Sequence, residues 1–232
     1  MSSSLDRLTS EDETTAAVER QPGVAFSPAW SDARQLACKR VLDIFVSLTV
    51  LVLLSPVYLL LAIGVKLSSR GPVFYRWCVV GEHSVPFVGY KFRSMCANAD
   101  DIKAGLQSQN EMRGPVFKLT NDPRITKMGA WMRRYSLDEL PQLYSVLKGD
   151  MSLVGPRPPL LTEYERFTSY QKQKLAVKPG ITCLWQVSGR NQISDFDEWV
   201  KLDLQYIAQW SLSLDLAILA RTAAAVFSGS GK

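Results

Sequence analysis

Two acidic residues stand side by side at Asp138-Glu139, inside the run SLDELPQL, with Arg133 and Arg134 a few positions upstream. Adjacent carboxylates can divide labour: one attacks an electrophile while the other helps hold a divalent cation. Nearby arginines would neutralise an anionic substrate and, by lowering the carboxylate pKa, keep the nucleophile ionised. The same pair has a plainer reading. Adjacent acids behind a capping residue, here Ser136, also occur at helix starts, where they complement the helix dipole on the surface.

Glycine, proline and arginine are dense on both sides of the dyad. GPVFKLTNDPRITKMG (114–129), GDMSLVGPRPP (149–159) and VKPGITCLWQVSGRN (177–191) read as rigid loops that present backbone N–H groups and guanidinium forks. Those groups suit phosphate oxygens. Each run alone is an ordinary turn beside an arginine, but three in one chain point to a phosphate-bearing ligand.

Charge and composition bound the partners. The 232-residue chain carries a formal +5, yet residues 1–35 hold six acids against three arginines, so that segment is −3 and the remainder +8. A basic body suits phosphates, lipid headgroups or nucleic acid, and composition does not choose among them. Cys38, Cys78, Cys96 and Cys183 are scattered, and His83 is the single histidine. No zinc-type spacing or disulfide framework follows, and reduced thiols in a reducing compartment are expected. With 47% hydrophobic residues the chain can bury one sizeable core.

The elements that must position these groups fall into three parts: a loose acidic tail (1–35), a membrane anchor (36–70) and a catalytic domain at the membrane surface (71–232). The tail is too polar to offset its ordering entropy. The run VLDIFVSLTVLVLLSPVYLLLAIGV (41–65) is long enough to cross a bilayer. Ser55-Pro56 interrupts it, since proline removes a helical hydrogen bond. Lys39 and Arg40 precede it and Lys66 and Arg70 follow, which favours both ends on the cytoplasmic face. A helix–break–helix that enters and leaves one leaflet satisfies both features, with a proline-kinked span as the alternative. Such a run behind an acidic tail is unlike a secretory signal.

Downstream, 73–80 and 85–92 read as two strands around Gly81-Glu82-His83-Ser84. Residues 98–109, 129–147 (interrupted by Pro141), 162–175 and 196–207 carry helical spacing. Residues 210–227 are apolar but contain Asp215 and Arg221, so they suit a core or interfacial helix rather than a span. The fold class expected is α/β in the broad sense: a helix-dominated α+β unit with a short β-hairpin, joined to a monotopic re-entrant anchor and interfacial helices.

KRVLD, the Ser-Pro-broken apolar run, GPVFYR, YKFRSM, NDPRIT, SLDELPQL, GDMSLVGPRP, VKPGIT and WQVSGRN follow one another between about Lys39 and Ser228. In this order they resemble the bacterial sugar transferases, the monotopic polyprenyl-phosphate phosphoglycosyl transferases, most closely the exopolysaccharide-initiating type. The resemblance implies an enzyme of the bacterial inner membrane with its catalytic domain on the cytoplasmic face. It would transfer a hexose-1-phosphate from a UDP-sugar, glucose or galactose, to undecaprenyl phosphate and release UMP. It implies Asp138 as the nucleophile that carries the phosphosugar and Glu139, with Asp138, as ligands of Mg²⁺. Arg157, Arg133 and Lys91 would hold phosphates, and Arg190 would contact the nucleotide or phosphosugar. A homodimer is compatible with this reading, and nucleic acid is not an expected partner. Cys183 stands where the family often has glycine after VKPGIT, and it is not a proposed nucleophile. The polar tail takes the place of the multi-span module that longer relatives carry before the catalytic unit. A membrane-associated glycosyltransferase that releases UDP is the rival reading. The one D-x-D for such an enzyme, Asp195-Phe196-Asp197, lies outside any strand–helix phosphate pattern.

Overall fold

The computed structural model describes residues 23–189 and 193–229. It opens on α1 (Ala33–Leu53), capped by Asp32, whose carboxylate accepts the backbone N–H groups of Arg34 and Gln35. Helix α1 stops at Leu54 and α2 (Ser55–Ser68) starts at once, with Pro56 in its first turn. There the missing N–H has no helical acceptor, so proline is tolerated as a starter where it would have broken a continuous helix. The break expected at Ser55-Pro56 therefore lies at Leu54, and the two helices are bent by 64°. Among the described residues no single helix is long and apolar enough to cross a membrane; the bent pair qualifies together by length and composition.

Helix α1 is amphipathic in an inverted sense. Lys39, Asp43 and Ser47, four residues apart, form its buried face, while Val41, Phe45, Leu48 and Val52 are exposed. The Lys39 ammonium pairs with Asp215 at 2.6 Å and donates to the Val154 carbonyl, and the Asp43 carboxylate accepts from Ser152 Oγ and the Leu153 N–H. Lys39 is thus an internal ion rather than the membrane-flanking charge expected of it, because Asp215 reaches it across the fold. Arg40, next to it, donates to the carbonyls of Val146 and Leu147.

Strands β1 (Phe74–Val80) and β2 (Pro86–Phe92) form the expected antiparallel hairpin, in register from Phe74 opposite Phe92 to Val80 opposite Pro86. Helix α3 (Ala99–Gly105) follows, then α4 (Lys127–Arg134), capped by Thr126. A single 3₁₀ turn, Leu137–Glu139, separates α4 from α5 (Gln142–Lys148), so the 129–147 run divides before Pro141. The helix expected over 162–175 is instead α6 (Leu161–Tyr164), α7 (Ser169–Lys172) and a 3₁₀ turn, Gln173–Ala176. Thr168 causes this division: its hydroxyl accepts the Gln171 N–H while the Gln171 side chain accepts the Thr168 N–H, a reciprocal cap that starts a new helix.

Two of the expected loops turn out to hold strands. Strand β3 (Ser152–Val154) pairs in parallel with β4 (Gly180–Thr182). Helices α8 (Leu184–Val187), α9 (Phe196–Gln209) and α10 (Leu212–Ser228) complete the chain. Helix α10 buries Asp215 and Ile218 and exposes Leu216 and Phe227 on its other side. The main core gathers Val146, Met151, Leu153, Tyr206, Ile207 and Trp210 from α5, β3 and the α9 end. Within the stretch expected to be a loose tail, Val24, Phe26, Ala29 and Trp30 pack against the main core. The Ser27 and Trp30 side chains donate to the carbonyls of Trp210 and Ile207, and Trp30 stacks on Trp210 at 4.2 Å. The aromatic stack supplies the apolar contact that the tail's overall polarity conceals.

Candidate active site

The Asp138-Glu139 turn hangs from α2. Leu137 and Leu140, on either side of the dyad, pack against a cluster of Leu61, Val65, Phe92 and Met132 beneath α2. The Tyr58 hydroxyl of α2 donates to the Leu140 carbonyl at 2.7 Å. With its neighbours drawn inward, the turn presents two consecutive carboxylates toward the end of β2. Ser136 does not cap this turn: it sits in the left-handed region at φ 53° and its side chain makes no cap hydrogen bond. The dipole-capping alternative therefore loses its cap, and Asp138, only 7% exposed, is no surface residue.

Cations meet the carboxylates from two directions. Lys91 Nζ, from β2, lies 2.7 Å from Glu139 Oε1 and 4.4 Å over the Trp77 ring. Arg133, at the end of α4, donates its Nε–H to Ser94 Oγ at 2.9 Å. Burial lowers the Arg133 pKa, while the charges of Asp138, Asp122 and Glu139 act against that shift. The Asp138 carboxyl moves the opposite way from the sequence expectation. Burial pushes it above its ordinary value and the Glu139 charge adds to the rise; Lys91 and Arg133 only partly offset them. Desolvation disfavours the charged form, and a second carboxylate beside it does the same. The site thus holds an anion in a place where a further cation would be welcome.

A family model described as "Bacterial sugar transferase" matches residues 34–229. The chain belongs to the bacterial sugar transferase family. It is 47% identical over 208 residues to a protein named "Galactosyl transferase CpsE" of Streptococcus agalactiae, covering 90% of this chain and 46% of that one. It is 45% identical over 197 residues to an "Undecaprenyl-phosphate galactose phosphotransferase" of Salmonella typhimurium, covering 83% and 41%. Against "Exopolysaccharide production protein ExoY" of Rhizobium meliloti the identity is 40% over 198 residues, covering 83% and 87%. The chain therefore spans less than half the length of the first two relatives and most of the third.

In this sugar transferase the other arginine-rich loops have structural duties that their sequences did not disclose. Arg124 grips Asp122 with Nε and Nη2 at 2.8 and 2.6 Å, which makes NDPRIT a self-bridged turn. The Gly155 N–H donates to the Thr182 carbonyl and the Gly180 N–H to the Pro156 carbonyl, so these two donors serve the β3–β4 pairing rather than a phosphate. A Cβ on Gly180 would come within 2.1 Å of the Gly155 nitrogen, which explains glycine at this crossing. Arg157, half-buried, acts on Asp203 and Cys183 electrostatically, whereas Lys91 and Arg133 act on Asp138. The structure thus brings Lys91, Arg133, Asp138 and Glu139 together, and Arg157 lies within electrostatic reach of Asp203 and Cys183. Arg190 lies outside the described residues. The D-x-D acids are also occupied: Asp195 caps α9 by accepting the Asp197 N–H, and Asp197 accepts from Gln171 Nε2.

Trp77 is the site neighbour that the motifs did not flag, because it reads as one more strand aromatic. Its place beside Lys91 follows only from the hairpin register. Among the described residues no three His, Cys, Asp or Glu side chains converge on one point, so no all-protein metal cage exists there. A pair of carboxylates nonetheless fits Mg²⁺, which keeps several waters and takes its remaining ligands from substrate phosphates.

Proposed function

We propose that this sugar transferase moves a hexose-1-phosphate from UDP-glucose or UDP-galactose to undecaprenyl phosphate, through a phosphosugar held covalently on Asp138. The observation that carries this reading is the seating of a buried Asp138 and a half-buried Glu139, lined by Lys91 and Arg133, beside the helix that bears Tyr58. One substrate is water-soluble and the other lives in a bilayer, so the reacting groups must lie where both can reach. The inverted face of α1 supports the bilayer part. A helix that buries Lys39, Asp43 and Ser47 and leaves Phe45 67% exposed has its apolar side turned toward an apolar medium. Both ends of the bent pair would then return to the cytoplasmic face of the bacterial inner membrane.

In the first step an Asp138 oxygen attacks the phosphorus that bears the sugar. A P–O bond forms to Asp138, the P–O bond to the bridging oxygen of the diphosphate breaks, and UMP leaves with that electron pair. In the second step an oxygen of undecaprenyl phosphate attacks the same phosphorus, the acyl-phosphate bond breaks and Asp138 is regenerated as a carboxylate. Lys91 and Arg133 neutralise the negative charge gathered on the phosphates. Without cations a carboxylate 4 Å from one phosphate charge is repelled by about 4 kcal/mol at an effective dielectric near 20. Mg²⁺ bound by Glu139 and Asp138 would supply the remaining positive charge, offsetting the burial and the Glu139 repulsion that raise the Asp138 pKa. Arg157 would hold a phosphate once substrate brings it into range.

The test separates the two half-reactions. Enzyme, UDP-sugar and Mg²⁺ without lipid should release about one UMP per active site, a burst followed by a stall. Intact-protein mass spectrometry should then show a hexose-phosphate adduct on the Asp138 peptide. Asp138→Asn should abolish burst and adduct, and Glu139→Gln should raise the Mg²⁺ requirement. UMP that appears only with lipid and leaves no adduct would refute the covalent step. UDP in place of UMP would replace phosphosugar transfer with simple glycosyl transfer.

A further inference from the structure

The β1–β2 hairpin pairs Trp77 with Gly89 and Tyr75 with Lys91. Side chains two residues apart on a strand share a face, so Trp77 and Lys91 are diagonal neighbours on one surface of the hairpin, within reach of a long side chain. Lys91 uses that reach: its ammonium is 4.4 Å from the Trp77 ring centroid and 2.7 Å from Glu139 Oε1. The indole is 7% exposed, and its Nε1–H has no hydrogen-bond partner. A buried donor without an acceptor costs free energy, so what is gained here lies in the ring face rather than in the N–H. Gly89 makes room for that face. A Cβ at this position would come 2.4 Å from Trp77 Nε1, so the indole lies against bare backbone.

We propose that Trp77 is a positioning residue for the transfer reaction: its ring, seated on Gly89, holds the Lys91 ammonium against Glu139. A lysine has four rotatable bonds and three equivalent donors, and nothing in the side chain itself fixes its head. The ring face supplies a cation–π contact on one side and Glu139 an ion pair on the other. The ammonium is thereby kept at the mouth of the dyad, ready to meet a substrate phosphate. This assignment rests on the phosphosugar reading for its consequence but not for its geometry, so one arm of the test needs no turnover.

Lys91 in the full-length enzyme is modified with an amine-acylating reagent, and its rate is followed by peptide mass spectrometry in the wild type, Trp77→Phe and Trp77→Leu. Phe keeps a ring face and removes the orphan donor; Leu removes the face. Lys91 should react at a similar rate in wild type and Trp77→Phe, and about three- to thirty-fold faster in Trp77→Leu, the range expected for loss of a partly desolvated cation–π contact. UMP release should follow the inverse order, with Trp77→Phe within about threefold of wild type and Trp77→Leu lowered by the larger factor. A purely structural tryptophan would instead leave Lys91 reactivity unchanged while lowering the melting temperature. Equal Lys91 rates in wild type and Trp77→Leu overturn the proposal, whatever happens to activity. If Trp77→Leu does not fold, Gly89→Ala provides the same reading by pushing the indole off its seat; unchanged Lys91 reactivity there overturns it equally. Faster Lys91 labelling in Trp77→Leu, with no UMP released by the wild type either, would uphold the positioning and refute the function instead.

Discussion

Asp203 and Lys174 form an ion pair at 2.5 Å with both side chains almost wholly buried, and Arg157 lies within electrostatic reach. Burial raises the Asp203 pKa and Lys174 works against that rise. Such a pair matters less for what it adds than for what is left when one half goes. Asp203→Asn would strand an ammonium in the core, and we expect a loss of about 3–5 kcal/mol, seen as a large drop in the thermal midpoint of the detergent-solubilised protein. Replacing both partners by apolar residues of similar volume, Lys174→Met with Asp203→Leu, should return most of that loss. If the double variant melts as low as the single one, the residues do more than neutralise each other. At this scale Asp138-Glu139 could be singled out from sequence because two adjacent acids form a pattern within the chain itself. Lys39, Asp215 and Asp203 could not, because a buried ion declares itself only when its partner arrives from a distant segment.

At the scale of elements the second half of YKFRSM has a structural duty. The Arg93 guanidinium donates to the carbonyls of Val65, in the last turn of α2, and of Ser69 and Arg70 just beyond it. It thereby caps the helix, locks the end of α2 to the end of β2, and sets the height of Lys91 two residues earlier. Gly71 leaves room for this fork: its φ is 128° and a Cβ there would come 2.1 Å from Arg93 Nη1. Arg93→Ala should cost about 1.5–3 kcal/mol for each charge-assisted bond that water fails to replace. Gly71→Ala should cost less in an Arg93→Ala background than alone, because the clash disappears with the side chain; additive losses in melting temperature would argue against the coupling. The break in 129–147 falls at Ser136, whose φ is 53°, rather than at Pro141, but the hairpin and α9 could be inferred from sequence because their signals are local: alternation and helical periodicity. Strands β3 and β4 could not. Each is three residues long, their pairing is non-local, and the glycines and prolines around them speak for turns. The division of 162–175 was hidden for a related reason, since the Thr168–Gln171 cap outweighs a continuous apolar period.

For the described fold as a whole, the question is how the bent helix pair is held to the body. The first half of α1 is bound to the body by Lys39, Asp43 and Arg40, whereas Val52 and Leu53 beyond it are 62% and 70% exposed. The bend at Leu54 then returns α2 to the body, where Leu61 and Val65 are buried and Arg93 receives its end. Both termini of the pair are therefore tied to the same domain, and a crossing would have to tear one of them loose. For the proposed membrane anchor, re-entry is the topology that would leave these contacts intact. Cys38, exposed at the start of α1, and Cys78, in β1, would then lie on the same side of the membrane. An impermeant thiol reagent added outside intact cells should label neither, and both should become labelled, Cys38 the faster, once the membrane is opened. Pro56→Leu changes the balance. Without proline the Ser55–Pro56 stretch can extend α1, removing a penalty of about 3 kcal/mol against a continuous helix. The straightened segment of Ala33 to Ser68 would be long enough to span. Yet spanning must still break the Lys39–Asp215 pair and the Asp43–Leu153 bond, so a mixed population is expected. In that variant a fraction of Cys38 should become reactive from outside, and UMP release should fall by the same fraction. Outside labelling of Cys38 in the unmodified protein would replace the re-entrant anchor with a kinked span.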